Sequence, residues 1–288
     1  MYVIAGVSGN TGSVAAATLL AAGQPVRVIV RDAAKGEPWK AKGAEVAVAA
    51  FEDRAALARA LAGATGAYLL LPPNGWGETD IAGNRKPLSA AILGAVADAR
   101  PGHVVLLSSF GANQPSGTGP IQYLHPVEEG LRELGVPSTF LRAAFFVENW
   151  LGMVQGAIDS GTLYYGMRGD AKLPQVATPD IGKTAARLLL EGAPSGVRVV
   201  QLAGPADLTL QETADALGRI AGKPIAAVTV PYEATVGALV GLGASKAVAE
   251  MYAELTVAFN DGRLAWEGPE IVRGTITVEQ RLRELLGK

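Results

Sequence analysis

The 288-residue chain contains no cysteine and only two histidines, His103 and His125. Without thiols it forms no disulfide, ligates no iron–sulfur cluster and has no cysteine nucleophile, so any redox chemistry must come from a bound cofactor. The two histidines lie apart and lack a neighbouring acidic ligand pattern, and no metal site is expected. Net charge is also nearly absent: 25 Lys and Arg against 27 Asp and Glu leave −2, which gives no basic field for nucleic acid. No apolar run approaches the ~20 residues of a bilayer helix, and no cleavable leader precedes the first apolar run. The expectation is a cytoplasmic protein, monomer or homodimer, that meets neither nucleic acid nor membrane.

What the chain does have is glycine in a pattern. Val3-Ile4-Ala5-Gly6-Val7-Ser8-Gly9-Asn10-Thr11-Gly12 breaks a short apolar run with glycines at 6, 9 and 12 before an alanine-rich stretch. Tyr2 to Ala5 reads as a buried parallel strand, and Ser13 to Ala22 as a helix that Gly23 ends in a left-handed conformation. A glycine turn between strand and helix can bring backbone N–H groups against a diphosphate, where the helix N-terminus favours the anion. The spacing is G-x-x-G-x-x-G rather than the commoner G-x-G-x-x-G. Strand, loop and helix together assign Gly6, Ser8, Gly9, Asn10, Thr11 and Gly12 to a dinucleotide site.

Strand and helix patterns then alternate. Strands are expected at 25–30, 44–48, 67–71, 103–107 and 138–141, with helices between them, Asp53 as an N-cap, a loop at 72–77 and a long helix at 80–98. This implies an α/β fold, a doubly wound parallel sheet of the Rossmann kind with helices on both faces. The last third adds helices at 180–190, 210–220 and 244–258 and short strands at 198–202 and 226–230, read as a smaller C-terminal α/β lobe. The division expected is a dinucleotide-binding domain at 1–150 and a substrate lobe at 151–288, interleaved near Ala144 to Tyr164.

Arg31 ends the second strand roughly 20 residues past the glycine loop, where the adenosine ribose of a dinucleotide belongs. A carboxylate there would select NAD(H), whereas a guanidinium pairs with a 2′-phosphate. The position therefore favours NADP(H) over NAD(H), with Arg27 and Lys35 as helpers, and no flavin is expected. A solvated arginine at a strand end is the plainer alternative.

Val-Arg-Val-Ile-Val-Arg-Asp, Val-Val-Leu-Leu-Ser-Ser-Phe-Gly-Ala, the helix from Glu128, and Phe145-Phe146-Val147-Glu148-Asn149 join the opening block in a resemblance to the NmrA-like family of atypical short-chain dehydrogenases/reductases. That resemblance spans nearly the whole chain. It implies NADPH-dependent reductases, among them quinone reductases, and also NADP-binding regulators without turnover. Carried over, Gly6, Gly9, Asn10, Thr11 and Gly12 hold the diphosphate and Arg31 the 2′-phosphate. Ala50 stands where relatives place an acidic residue against adenine, leaving Phe51 as an apolar neighbour. Leu71, Pro72 and Ser108 fall where such folds approach the ribose and nicotinamide, with ordinary strand-end packing and turn chemistry as the plainer alternative.

The catalytic tyrosine and lysine of the broader class align with Pro120 and Leu124, and neither residue transfers protons. Tyr123 and His125 lie beside these places as candidate proton donors, or else as helix-flank packing and a cap. Phe145, Phe146 and Asn149, with Trp150 nearby, are candidates to hold a small-molecule acceptor, or else an ordinary apolar core. Two functions remain open at this stage: hydride transfer from NADPH to a quinone-like or other conjugated acceptor, which tolerates the missing pair, and a non-catalytic NADP-binding redox sensor.

Overall fold

A computed structural model describes residues 1–73, 75–267 and 271–288; Asn74, in the loop expected at 72–77, lies outside the described residues. The main sheet has eight strands: β1 (Tyr2–Ile4), β2 (Val26–Val30), β3 (Glu45–Val48), β4 (Gly66–Leu70), β5 (Val104–Ser109), β6 (Ser138–Ala143), β7 (Val197–Ala203) and β8 (Ile271–Arg273). Their lateral order is β8-β7-β6-β5-β4-β1-β2-β3, and every pairing is parallel. The winding runs outward from β1 to β3, then reverses and runs from β4 to β8.

The crossover helices are α1 (Asn10–Ala21), α2 (Arg54–Leu61), α3 (Ile81–Ala99), α4 (His125–Leu134) and α5 (Thr178–Glu191). Helices α1 and α5 bury Ala15, Leu19, Ile181 and Ala185 on one face of the sheet. Leu57, Ile92 and Leu131, from α2, α3 and α4, cover the other. Coverage on both sides is why the central strands are apolar at successive positions rather than alternating. Asp53 caps α2 by accepting the Ala56 N–H at 2.9 Å, and Gly135 closes α4 at φ +63°. Helix α1 starts at Asn10, three residues before the expected Ser13, because Gly9 takes the N-cap position in extended backbone.

After β6 the chain enters a smaller layer. Short strands Phe145–Phe146, Leu173–Val176 and Asp207–Leu208 form one sheet, and Thr162–Tyr165 pairs with Ala226–Thr229 in another. Trp150, Leu163, Leu217 and Leu282 centre its core. Two elements grouped with this lobe from sequence lie elsewhere. The stretch at 198–202 is β7, paired with β6 at Val199↔Phe140, and the helix at 180–190 is α5. Their buried faces, including Val200 and Ile181, complete the large sheet's core rather than the lobe's.

His103 is buried just before β5, with Nε2 2.9 Å from Thr139 Oγ1 and Nδ1 without a partner among the described residues. Burial, with Arg198 nearby, lowers its pKa from 6.5 to about 4. The unfolded chain therefore takes up this proton first as pH falls, and the neutral imidazole's contribution, full above 6.5, is lost towards 4. At about 1.4 kcal/mol per pH unit this withdraws roughly 3 kcal/mol. Urea titrations from pH 7 to 4 should show a shallower loss for His103→Asn than for the wild type; parallel profiles would remove His103 as the cause.

Candidate functional site

The carboxyl ends of β1 to β6 open into a cleft of about 940 Å³. It spans the point between β1 and β4 where the winding reverses, the position at which open α/β sheets take ligands. The glycine loop forms one wall. Gly6 stands at φ +68°, which glycine adopts without strain, and its carbonyl accepts the Gly9 N–H at 2.9 Å. Gly12 lies behind the loop, so close that a Cβ there would stand 2.5 Å from the Ala5 oxygen and 2.6 Å from the Gly6 oxygen. It sets spacing and does not line the cleft, whereas Gly6, Ser8, Gly9, Asn10 and Thr11 do.

No side chain caps α1, so its first amides lack intrahelical acceptors and the helix end carries partial positive charge. Buried Tyr68 donates its hydroxyl to Thr11 Oγ1 at 2.9 Å, which leaves the Thr11 proton free to donate. This uncapped, close-packed turn fits a diphosphate.

Arg31 and Lys35 lie further along the same cleft. Among the described residues the Arg31 guanidinium has no hydrogen bond or ion pair. Arg27, expected to assist, is committed elsewhere: its Nε bonds Glu45 at 2.7 Å and its Nη1 the Ala60 carbonyl at 2.8 Å. Asp32 accepts the Ala34 N–H at 2.9 Å and caps a short turn. Phe51, Leu71 and Pro72 line the adjoining wall.

Ser108, also in the lining, is held from behind. Its hydroxyl donates to Glu128 Oε1 at 2.5 Å, and Arg142 of β6 grips the same carboxylate through Nε at 3.0 Å and Nη2 at 2.6 Å. Glu128 is fully buried, Arg142 nearly so, and Arg142 also reaches Glu267. Burial opposes the guanidinium charge, but the Glu128 and Glu267 carboxylates outweigh it and hold Arg142 above its ordinary pKa. Sequence reading missed this network. The signal was a glutamate three residues before Leu131, on the buried side of α4.

Phe145, Phe146 and Asn149 line the other end of the cleft. Trp150, expected beside them, is core instead, 1 % exposed, with Nε1 donating to Gln175 Oε1 at 2.7 Å. Helix α6 (Lys246–Asn260) closes this end with Tyr252, Thr256 and Phe259. Trp76 packs on Tyr252 at 6.0 Å between ring centres, and its Nε1 donates to the Leu242 carbonyl at 3.1 Å.

Pro120, Tyr123 and Leu124 face the cleft. Burial, with Glu254 and Asp80 adding and Arg85 opposing, raises the Tyr123 pKa, so the phenol keeps its proton. His125 is not among the lining residues; its Nδ1 lies 3.1 Å from the Ala112 carbonyl. A second residue that sequence reading missed is Arg85, in the lining and bonded through Nη1 to the Pro72 carbonyl. It shares a face of α3 with Ile81, Leu88 and Ile92, where a charge is out of pattern.

Among the described residues no cluster of three or more His, Asp or Glu could hold a metal ion. No helix of these residues is long and apolar enough to cross a membrane.

Comparison with known proteins agrees with this architecture. The chain is similar to the NAD(P)H azoreductase of Xenophilus azovorans, with 26 % identity over 255 residues, covering 88 % of this chain and 86 % of that one. It is 30 % identical over 226 residues to the (4-alkanoyl-5-oxo-2,5-dihydrofuran-3-yl)methyl phosphate reductase of Streptomyces griseus, covering 78 % and 75 %. Its structure resembles that of the Escherichia coli NADPH-dependent quinone oxidoreductase complexed with NADPH, at a TM-score of 0.79 and 26 % identity, covering 100 % of this chain and 95 % of that one. The NmrA-like family profile matches residues 2–272, and the chain belongs to that family.

Proposed function

We propose that this protein is an NADPH-dependent reductase that passes hydride to a quinone-like or other conjugated small-molecule acceptor. The observation that carries this reading is one continuous cleft, with an uncapped glycine loop and an untied arginine at one end and Phe145, Phe146 and Asn149 at the other. Its volume of about 940 Å³ stands near the top of the ~300–1,000 Å³ range of small-molecule sites. The azoreductase and the quinone oxidoreductase among its relatives support the same chemistry.

In this reading the α1 amides and the Thr11 hydroxyl receive the diphosphate, and Arg31 with Lys35 receives the 2′-phosphate. Phe51, Leu71 and Pro72 pack against the adenosine side. The Ser108 proton is committed to Glu128, so its oxygen is presented as a fixed acceptor near the nicotinamide end. Bound there, NADPH supplies the hydride. Reduction of a quinone by hydride leaves a phenolate, which needs one proton, and the protonated Tyr123 phenol or water provides it. Pro120 and Leu124 contribute walls only, and positioning supplies much of the rate.

NADPH consumption should rise steadily on adding simple quinones or azo dyes and be slower with NADH. Tight NADPH binding without turnover across the panel would support a regulator instead. Arg31→Ala should weaken NADPH binding about 10- to 100-fold, the worth of one or two charge-assisted hydrogen bonds, and change NADH binding little. Equal losses for the two cofactors would sink the 2′-phosphate assignment.

A further inference from the structure

Arg85 is a buried cation whose charge is only partly answered. It sits in the second turn of α3 and is 7 % exposed. Nη1 donates to the Pro72 carbonyl, and Nε, shielded from solvent, has no acceptor among the described residues. No carboxylate of those residues lies within ion-pair distance of it. Buried guanidinium donors are rarely left unpaired, because solvation is lost with nothing gained in exchange. The side chain nevertheless lines the cleft, in the neighbourhood of the Tyr123 and Tyr252 phenols.

The acidic groups around it act from a distance and do not pair with it. Glu78 Oε1 accepts the Thr79 and Asp80 amides at 3.0 and 3.1 Å. Glu254, near Tyr123, accepts the Gly119 amide at 3.2 Å. Glu52 and Asp80 complete the set of carboxylates felt by this cluster, and Asp80 is the N-cap of α3. The surroundings thus present a guanidinium with no directly paired carboxylate among the described residues, two phenols able to donate, and the apolar walls of Leu88 and Leu255.

We propose that Arg85 anchors an oxyanion carried by the acceptor, a carboxylate, sulfonate or phosphate substituent on a conjugated ring, with the Tyr123 and Tyr252 phenols as further donors. This rests on the reductase reading and adds a substrate class to it. A neutral carbonyl could accept one guanidinium N–H but would leave the charge unanswered. The phosphates of the cofactor have their own partners in the α1 amides and Arg31. The site therefore selects acidic acceptors over neutral ones with the same ring.

The test compares a sulfonated naphthoquinone with the same quinone lacking the sulfonate, in the wild type, Arg85→Gln and Arg85→Lys. Calorimetry of naphthalenesulfonate on the NADP⁺-loaded protein supplies a readout independent of turnover. Arg85→Gln should lower the sulfonated-to-neutral ratio of kcat/KM about tenfold or more and weaken naphthalenesulfonate by a similar factor, while Arg85→Lys keeps part of both. NADPH affinity should change less than either. Equal loss on both quinones, or no preference in the wild type, overturns the proposal, as does a greater loss for NADPH, which would assign the cation to the cofactor. If the wild type reduces neither quinone, the reductase reading fails and the calorimetric comparison alone decides on the anion site. Should Arg85→Gln fail to fold, Arg85→Lys decides: one point charge on a different stem replaces the planar guanidinium, so sulfonate selectivity and affinity should fall, and unchanged values in it would overturn the guanidinium anchor.

Discussion

Glu128→Ala should cost the fold about 3–5 kcal/mol, the penalty for stranding a buried guanidinium by removing its partner. For a chain of this size that corresponds to a Tm lower by roughly 5–8 °C. Glu128 is completely buried and receives three hydrogen bonds, from Ser108 and from two nitrogens of Arg142. Deleting its carboxylate leaves Arg142 with only Glu267, whose side chain is 46 % exposed and a weaker counter-ion for it. The double variant Glu128→Ala/Arg142→Met should lose less than the sum of the single losses, because it removes the stranded charge along with the pair. Chemical denaturation of the four proteins closes the cycle. A single loss below about 1 kcal/mol, the level of an exposed ion pair, would show that water reaches this network. Activity adds a second measurement: with Glu128 gone the Ser108 hydroxyl can turn, and KM for NADPH should rise even where the fold survives.

Gly12→Ala should weaken NADPH binding about 100-fold, near 2.7 kcal/mol, whereas Gly9→Ala should cost only a few-fold. Both glycines face the same loop but meet different obstacles. A Cβ at Gly9 would lie 3.3 Å from the Gly6 oxygen, tight but relieved by a small shift, and Gly9 already has extended backbone. A Cβ at Gly12 would meet the Ala5 oxygen at 2.5 Å and the Gly6 carbonyl carbon at 2.6 Å, all backbone. Relief requires α1 to move away from the loop, and the amides proposed to receive the diphosphate move with it. Overpacking of this kind also costs about 1–3 kcal/mol of stability. Fluorescence titration with NADPH, alongside thermal melts, separates the two losses. Similar affinities for the two variants would show that the helix-to-loop distance does not control binding.

The sequence carried the main sheet well because its signals are local. The apolar strands, Asp53 as a cap, Gly135 as a terminator and the glycine loop each depend on a few neighbouring residues, and each lies where expected within two or three positions. Strand 198–202 and the helix at 180–190 went to the wrong layer because an apolar segment does not state which partner will bury it; β6 is about 60 residues away in the chain from β7. That Gly6, Thr11 and Arg31 line one cleft was legible for the same reason that the strands were, since they belong to one βαβ unit. Arg27 misled because a strand-end arginine has several partners within reach, and Glu45 with the Ala60 carbonyl proved nearer. Arg85 and Glu128 were each visible as a charge interrupting an apolar helix face, a pattern that specifies burial but not the partner. Trp150 showed the reverse problem: an aromatic run gives no sign of which rings face the cleft and which face Gln175.

The interleaving of the two layers has a mechanical consequence. The chain passes from sheet to lobe after β6, returns for α5 and β7, leaves again at residue 204, and comes back for β8 before the last helix joins the lobe core. Hinged proteins close by concentrating rotation in a few connecting residues. Here several covalent tethers, distributed across the seam, would all have to twist together. The rim is tied as well: the Trp76 indole donates to the Leu242 carbonyl and the Trp76 carbonyl accepts the Ser245 amide.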